Sequence, residues 1–153
     1  MKKLTDKIKN PLPAAVFWAA AAAVMITIFY LSHQQGAESD GTSSRTLDFF
    51  EALLGISIDH AVFRELAHAA EFFALAFFVF FAVRFTCGCF RPVLTLVFAS
   101  LYAVTDEIHQ LFVPGRAFQL FDWFVDTSGA AASVLMCAAA VIVIGKINIK
   151  RRS

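Results

Sequence analysis

Residues 12–31 read LPAAVFWAAAAAVMITIFYL, an apolar run of 20 residues without one charged side chain. A bilayer core about 30 Å thick requires roughly 20 apolar residues in a helix, so this run predicts a transmembrane span. Four lysines precede it, as in a signal peptide, but the run exceeds the roughly 7–15 apolar residues of such a peptide and meets no small-residue cleavage site. We therefore expect a helix that is retained.

Three further apolar stretches follow this run. Of the 153 residues, 59% are hydrophobic and 16% are charged, whereas a soluble domain has about a quarter charged residues. The net charge of +1 forms no basic face, so nucleic acid is not an expected partner. The sequence predicts one all-α membrane domain over residues 1–153, and its four transmembrane helices lie at about 12–32, 66–86, 93–113 and 122–145.

The longest predicted connection is an outer loop over residues 33–65. Ser43 or Ser44 can cap a short helix that ends at Gly55. The apolar face of this helix would carry Leu47, Phe50 and Leu54. We expect a short amphipathic helix on the outer membrane surface, preceded by a flexible polar stretch at residues 34–42.

Lysine and arginine are distributed unevenly between the two sides of the predicted spans. Ten lie on the side of the termini, namely Lys2, Lys3, Lys7, Lys9, Arg84, Arg91, Lys146, Lys150, Arg151 and Arg152. Three lie on the other side, namely Arg45, Arg64 and Arg116. Because cytoplasmic loops carry the excess of positive residues, we expect both termini in the cytoplasm and the protein in the cell membrane.

Ionisable side chains interrupt the second, third and fourth spans, where they are costly and therefore suggest function. At 1.5 Å per residue, Glu71 lies roughly 7–8 Å and Asp106 roughly 10 Å below the outer surface. Asp126 lies one turn inside the fourth span. Three helices thus bring polar side chains to one outer level, whereas the inner two-thirds is almost purely apolar. We interpret this level as a functional site.

Helical spacing places these polar residues on shared faces. The sets are Arg64, His68 and Glu71; Asp106, His109 and Gln110; and Asp122 and Asp126. Gly129 and Ser133, four residues apart, allow a neighbouring helix to approach closely. Pro114 and Gly115 predict a sharp turn after the third span, which puts Arg116 at the rim above the acidic cluster.

Side-chain chemistry gives each residue a candidate role. Crowded carboxylates in a low dielectric suit general acid/base work, so the candidate catalytic residues are Glu71, Asp106 and Glu107. Arg116 would hold an anion. The candidate substrate-binding residues are Arg64, His68, His109, Gln110, Arg116, Asp122 and Asp126. Asp122 could equally be a helix N-cap. We expect no cofactor and no bound metal, and we expect His33 and His60 to be ordinary loop residues.

The polar blocks also carry a family resemblance. Residues 64–72 read RELAHAAEF, residues 106–116 read DEIHQLFVPGR and residues 122–129 read DWFVDTSG. They resemble R-K-x-x-H-x-x-E-Y, D-E-x-x-Q-x-F-x-P-G-R and D-x-x-x-N-x-x-G in the VanZ-like family of small bacterial membrane proteins, and LSHQ at 31–34 is a weaker match. The chain departs from these patterns at Glu65, Phe72 and Asp126, where the family has Lys, Tyr and Asn. The resemblance implies lowered susceptibility to glycopeptides of the teicoplanin type.

Four functions can be weighed against these residues. The first is an enzyme or binding protein at the outer leaflet, whose partner is a membrane lipid, a lipid-linked cell-envelope molecule or another lipophilic molecule. The second is a metal-dependent membrane hydrolase, although the H-E-x-x-H spacing of zinc proteases is missing. A proton-linked transporter fits poorly, because the inner half has no polar groups. The last is a non-catalytic bundle that assists another membrane protein.

Overall fold

Five α-helices make up most of the chain in the computed structural model, which describes residues 10–34, 36–55 and 57–150. The helices are α1 (Pro11–Ser32), α2 (Gly36–Leu54), α3 (His60–Cys87), α4 (Pro92–Gln110) and α5 (Leu120–Lys150). Proline in the first turn of α1 and of α4 has its φ already set for a helix and lacks only an N–H that would have had no helical partner. The described residues contain no strand, so the all-α prediction is confirmed for them.

Three of the described helices are long and apolar enough to cross a membrane: α1, α3 and the Leu120–Ile144 part of α5. This supports the prediction of a membrane protein. The prediction of four spans is not confirmed, because α4 is not among these helices. α4 has only 19 residues, and its last five include Asp106, Glu107, His109 and Gln110.

Several predicted span ends differ from the helix ends, and α5 continues to Lys150, five residues past the predicted end. α3 begins at His60, six residues before the predicted span, because Asp59 caps it: Asp59 Oδ1 accepts hydrogen bonds from the amides of Ala61 at 2.9 Å and Val62 at 3.3 Å. α4 ends three residues early, at Gln110. The turn predicted at Pro114 and Gly115 follows it, and Gly115 has a φ of +78°.

The segment predicted to form an outer loop is more helical than expected. α2 begins at Gly36, so the prediction of a flexible stretch over 34–42 and of a helix capped by Ser43 or Ser44 is wrong. No proline interrupts these residues, and they include Ala and Glu, which favour helix. The predicted end at Gly55 is confirmed, since its φ is +67° and its N–H donates to the carbonyl of Glu51 at 2.8 Å.

Some earlier predictions concern side chains outside the described residues. They are those on Phe50 and Leu54 and on the lysines and arginines of the two termini. Leu47, the third residue of the predicted apolar face of α2, is described and is buried.

The centre of the fold is α3, which contacts each of the other four helices. The apolar core is formed by Ala21 and Ile28 of α1, Phe72, Leu75, Ala76, Val79 and Val83 of α3, Ala99 and Ala103 of α4, and Ala130 and Val134 of α5. Alanine at most of the partner positions allows the backbones to come close. Outside this core, large apolar side chains such as Leu12, Ile26 and Leu135 are exposed on the helices.

The closest backbone approach joins α5 to α3. A Cβ added to Gly129 would lie 2.9 Å from Cα of Ala69 and would overlap the Ala69 carbonyl oxygen. The close approach predicted from Gly129 and Ser133 is therefore confirmed, with α3 as the neighbouring helix. This contact fixes the first turns of α5 beside the first turns of α3.

Candidate functional site

Polar side chains from four helices meet at one end of the bundle, where α1 and α4 end and α3 and α5 begin. We call this region the polar end. It contains Ser32 of α1, Arg64, Glu65, His68 and Glu71 of α3, Asp106, Glu107, His109 and Gln110 of α4, Arg116 and Gln119 of the following loop, and Asp122 and Asp126 of α5. These four helices run alternately in opposite directions, so residues far apart in the sequence share this level.

Asp106 joins α1 to α4. Its side chain is buried, and its Oδ2 accepts hydrogen bonds from Ser32 Oγ at 2.7 Å and from Gln110 Nε2 at 3.3 Å. Hydrogen bonds to an ionised acceptor are stronger than those between neutral groups. The predicted catalytic carboxylate therefore has an evident structural task, since it holds the end of α1 and orients Gln110.

Glu107 holds the loop that follows α4. Its side chain is fully buried, and its Oε2 accepts a hydrogen bond from the backbone amide of Gln119 at 2.8 Å. Its Oε1 has no hydrogen-bond partner among the described residues. Glu107 thus fixes the chain just before α5, and one of its oxygens is buried at a cost that no described group offsets.

Asp126 is the least satisfied side chain of the polar end. It is fully buried, and neither carboxylate oxygen has a hydrogen-bond partner among the described residues. His68 Nδ1 lies 3.8 Å from Asp126 Oδ1, which is too far for a hydrogen bond. The carboxylates of Asp106, Glu107, Glu71 and Asp122 are all close enough to act on Asp126 electrostatically.

Glu71 is partly buried and belongs to the same electrostatic group. Asp106 and Arg116 are the charged side chains that act on it. Arg116 also acts on His68, Glu107 and Asp122. This guanidinium is therefore a shared counter-charge for the carboxylates that the sequence places at one level.

A pocket of about 230 Å³ opens at the polar end. It is lined by Arg64, Gln110, Gly115, Arg116, Ala117, Gln119 and Asp122. Arg116 Nε donates to the carbonyl oxygen of Gln34 at 3.4 Å, so the residue after α1 helps to hold the guanidinium at the pocket. Asp122 accepts a hydrogen bond from Gln119 Nε2 at 3.3 Å and lies in the first turn of α5, so it is not the N-cap of that helix.

The pocket separates the predicted site residues into two groups. Of the predicted substrate-binding residues, Arg64, Gln110, Arg116 and Asp122 line it. His68 and Asp126 lie against each other without lining it, and His109 contacts α1. The candidate catalytic residues Glu71, Asp106 and Glu107 do not line it either. The structure thus gives their positions, while their roles stay predictions.

The sequence pattern gave no site role to Ser32 and Gln119 of the polar end, nor to the neighbouring His33. His33 Nδ1 lies 3.3 Å from His109 Nε2, and the ring of His109 packs on Phe29 in a tilted arrangement with the centroids 4.4 Å apart. The expectation that His33 is an ordinary loop residue misses this contact. The weak LSHQ match at 31–34 was the available signal for Ser32 and His33, whereas nothing in the pattern pointed to Gln119.

The described residues do not bring three His, Cys, Asp or Glu side chains together in a way that could hold a metal ion. Cys87 and Cys89 are exposed at the opposite end of the bundle, and Cys137 is buried on α5; all three are free thiols.

The chain is an apolar helical bundle with buried carboxylates and an arginine-rimmed pocket at one end. These features place it among small helical proteins of the membrane type. The VanZ/LLP1 family model matches residues 17–143, which include most of α1, all three polar blocks and most of α5. The chain therefore belongs to the VanZ/LLP1 family, and the resemblance seen in its polar blocks is confirmed. Comparisons with curated proteins and with solved structures gave no match.

Proposed function

We propose that this chain is a multi-pass protein of the bacterial cell membrane whose polar end binds the head of a lipid-linked cell-wall molecule or another lipophilic molecule. Through this binding it would lower susceptibility to glycopeptides of the teicoplanin type. The observation that carries the proposal is the pocket of about 230 Å³ between Arg64 and Arg116 at the end of an apolar bundle.

The position of the pocket suits an amphipathic ligand. The helices expose large apolar side chains along their length, which would contact acyl chains, while the pocket lies where the headgroups of one leaflet would be. Arginine presents a planar fork of donors that matches phosphate and carboxylate groups. A ligand with a charged head and an apolar tail could therefore place both parts in matching surroundings.

Binding is better supported than catalysis. Asp106 and Glu107 are committed to hydrogen bonds with Ser32 and with the amide of Gln119, and neither lines the pocket. A general acid or base must come within hydrogen-bond reach of the reacting group. The residues that do line the pocket offer two guanidinium groups, two amides and one carboxylate, a set suited to recognition.

The proposal includes four spans with both termini in the cytoplasm. α4 is about 28 Å long at 1.5 Å per residue, close to the thickness of a bilayer core, and it packs against α1, α3 and α5. The distribution of ten against three basic residues supports the orientation. In this orientation the pocket opens toward the outside, where glycopeptides meet the cell.

Glycopeptide susceptibility of cells that express Arg116→Gln tests the proposal. This change removes the guanidinium from the pocket rim but keeps a polar side chain of similar length. We expect the variant to lose most of the protection given by the wild-type protein at equal protein level in the membrane. The measurement is the inhibitory concentration of a teicoplanin-type glycopeptide, beside an immunoblot of the membrane fraction.

The matched control is Arg91→Gln, because Arg91 is an exposed arginine at the opposite end of the bundle. It should keep full protection. If Arg116→Gln protects as well as the wild type, the pocket is not the working site. A non-catalytic bundle that assists another membrane protein would then be the better explanation.

A further inference from the structure

Carboxylates outnumber guanidinium groups at the polar end. Among the described residues, its acidic side chains are Glu65, Glu71, Asp106, Glu107, Asp122 and Asp126, and its arginines are Arg64 and Arg116. Arg64 already lies 3.8 Å from Glu65. The two arginines therefore cannot balance all six carboxylates, and of these six only Asp122 lines the pocket.

Two of the unbalanced carboxylates are fully buried, and each has at least one oxygen without a hydrogen-bond partner among the described residues. Both oxygens of Asp126 and Oε1 of Glu107 have none among the described residues. Asp122 lines the pocket and lies within electrostatic range of both residues. A positive charge placed beside Asp122 would thus be attracted by Asp122 itself and would stabilise the ionised form of the two buried carboxylates.

The pocket lining shows both signs of charge. Arg64 and Arg116 stand on its wall together with Asp122, and the amides of Gln110 and Gln119 lie between them. A simple anion would bind the arginines but would also face the excess of carboxylates. A simple cation would be drawn to Asp122 but repelled by the two guanidinium groups. Neither ligand matches the whole surface.

We infer that the pocket binds a head that carries both an anionic phosphate or carboxylate and a primary ammonium group. This inference rests on the proposed function and specifies its ligand. The anionic group pairs with Arg64 and Arg116, while the ammonium donates to Asp122 and to the side-chain carbonyl oxygens of the two glutamines. At about 230 Å³ the pocket is smaller than sites for drug-sized ligands, so it takes a small head and leaves any lipid tail outside.

Calorimetric titration of the purified full chain in a non-ionic detergent tests this assignment. The probes are glycerophosphoethanolamine, which has a phosphate and an ammonium, and glycerophosphoglycerol, which has the phosphate alone. We expect the first to bind at least tenfold more tightly. Alanyl-alanine, with a carboxylate and an ammonium, is a third probe. Its binding would assign the anionic group to a carboxylate source such as a peptide end, and its failure to bind would assign it to a phosphate.

Asp122→Asn locates the ammonium site. Asparagine keeps an acceptor for Gln119 but removes the charge. The ratio of the affinities for glycerophosphoethanolamine and glycerophosphoglycerol should therefore fall to about one. Asp48→Asn, which changes an exposed carboxylate of α2, should leave the preference unchanged. The ratio of the two affinities measured on the wild-type protein tests the ammonium assignment even if Asp122→Asn does not fold.

The two levels of the proposal fail differently. If glycerophosphoglycerol binds as tightly as glycerophosphoethanolamine or more tightly, the ammonium assignment is overturned and the proposed binding of a charged head survives. A second measurement supplies the corresponding whole phospholipids in nanodiscs and asks whether they compete with one another for the protein. If no probe binds and these phospholipids do not compete, both the assignment and the proposed function are overturned.

Discussion

The two ends of the bundle treat their polar groups in opposite ways. At the opposite end, Trp18 Nε1 donates to Thr86 Oγ1 at 3.0 Å, the amide of Asn10 donates to the carbonyl of Phe85 at 3.3 Å, and the guanidinium of Arg84 lies 4.9 Å from the ring centroid of Phe90. At the polar end, buried atoms of His68, Glu107 and Asp126 have no hydrogen-bond partner among the described residues.

This difference suggests that the polar groups at the opposite end stabilise the bundle, whereas some of those at the polar end have another role. Buried polar groups in folded proteins are nearly always paired, so a group of unpaired ones in one place calls for an explanation. Polar side chains at the opposite end pair with each other or pack on aromatic rings and hold the helices together. Those at the polar end leave hydrogen-bonding capacity unused beside a pocket, which is what the proposed binding of a charged ligand predicts.

Gly129→Ala should have the largest effect of the substitutions that test this difference. The new Cβ would overlap the carbonyl oxygen of Ala69, and a backbone atom cannot move aside as a flexible side chain can. Since α3 and α5 together carry about half of the residues of the polar end, their separation would disrupt the pocket as well as the fold. We expect a loss of about 3 kcal/mol or more in the free energy of unfolding, measured by thermal or denaturant unfolding in detergent.

The matched control is Gly41→Ala. Gly41 also lies in a helix, but a Cβ there would meet no atom within 4 Å. Because alanine is the better helix former, this change should stabilise the protein by up to about 1 kcal/mol. Equal effects of the two substitutions would show that the contact between Gly129 and Ala69 does not hold the polar end together.

Ser32→Ala should have the next largest effect. It removes the buried hydroxyl that donates to Asp106 at 2.7 Å, and hydrogen bonds to a charged group contribute about 1.5–3 kcal/mol. The carboxylate that holds α1 to α4 would keep only its weaker bond from Gln110. We expect a loss of about 2 kcal/mol in the free energy of unfolding, and a coupling of about 1 kcal/mol with Asp106→Asn in a double-mutant cycle.

Thr86→Val is the corresponding change at the opposite end. It removes the hydroxyl that accepts from Trp18 in an exposed hydrogen bond and should cost no more than about 1 kcal/mol. A larger cost for Thr86→Val than for Ser32→Ala would mean that the opposite end, and not the contact between Ser32 and Asp106, limits the stability of the bundle.

The sequence was sufficient for features that depend on position along a helix. Residue counts pointed to the three helices that are long and apolar enough to cross a membrane, and the 1.5 Å rise per residue put Glu71, Asp106 and Asp126 at one level. Proline and glycine marked the turn at 114–115, and a small residue marked the close contact at Gly129. Each of these follows from local chemistry or from distance along one axis.

Features that depend on how helices face each other were not predicted. The bond between Ser32 and Asp106 joins residues 74 positions apart, and it exists because α3 brings α1 and α4 to the same side. For the same reason, the sequence could not show which carboxylates hold the structure and which line the pocket. The cap at Asp59 was missed because the charged residues of the first turns of α3 hid its helical character.

Asp126→Asn should have a smaller effect, of opposite sign. The family pattern has asparagine at this position, and a buried carboxylate without a hydrogen-bond partner is costly, whereas a neutral amide of the same shape is cheaper to bury. We expect the free energy of unfolding to rise by about 1 kcal/mol, measured as an increase in Tm. Asp48→Asn on the exposed face of α2 should stay within about 0.5 kcal/mol of the wild type.

The sign of the Asp126→Asn effect bears directly on the difference between the two ends. A rise in Tm accompanied by weaker binding of glycerophosphoethanolamine would mean that the carboxylate costs stability and contributes to the attraction of an ammonium group. A fall in Tm would mean that Asp126 is already satisfied in the folded protein. The polar end would then be as well paired as the opposite end, and the case for a ligand that supplies the missing positive charge would lose its main support.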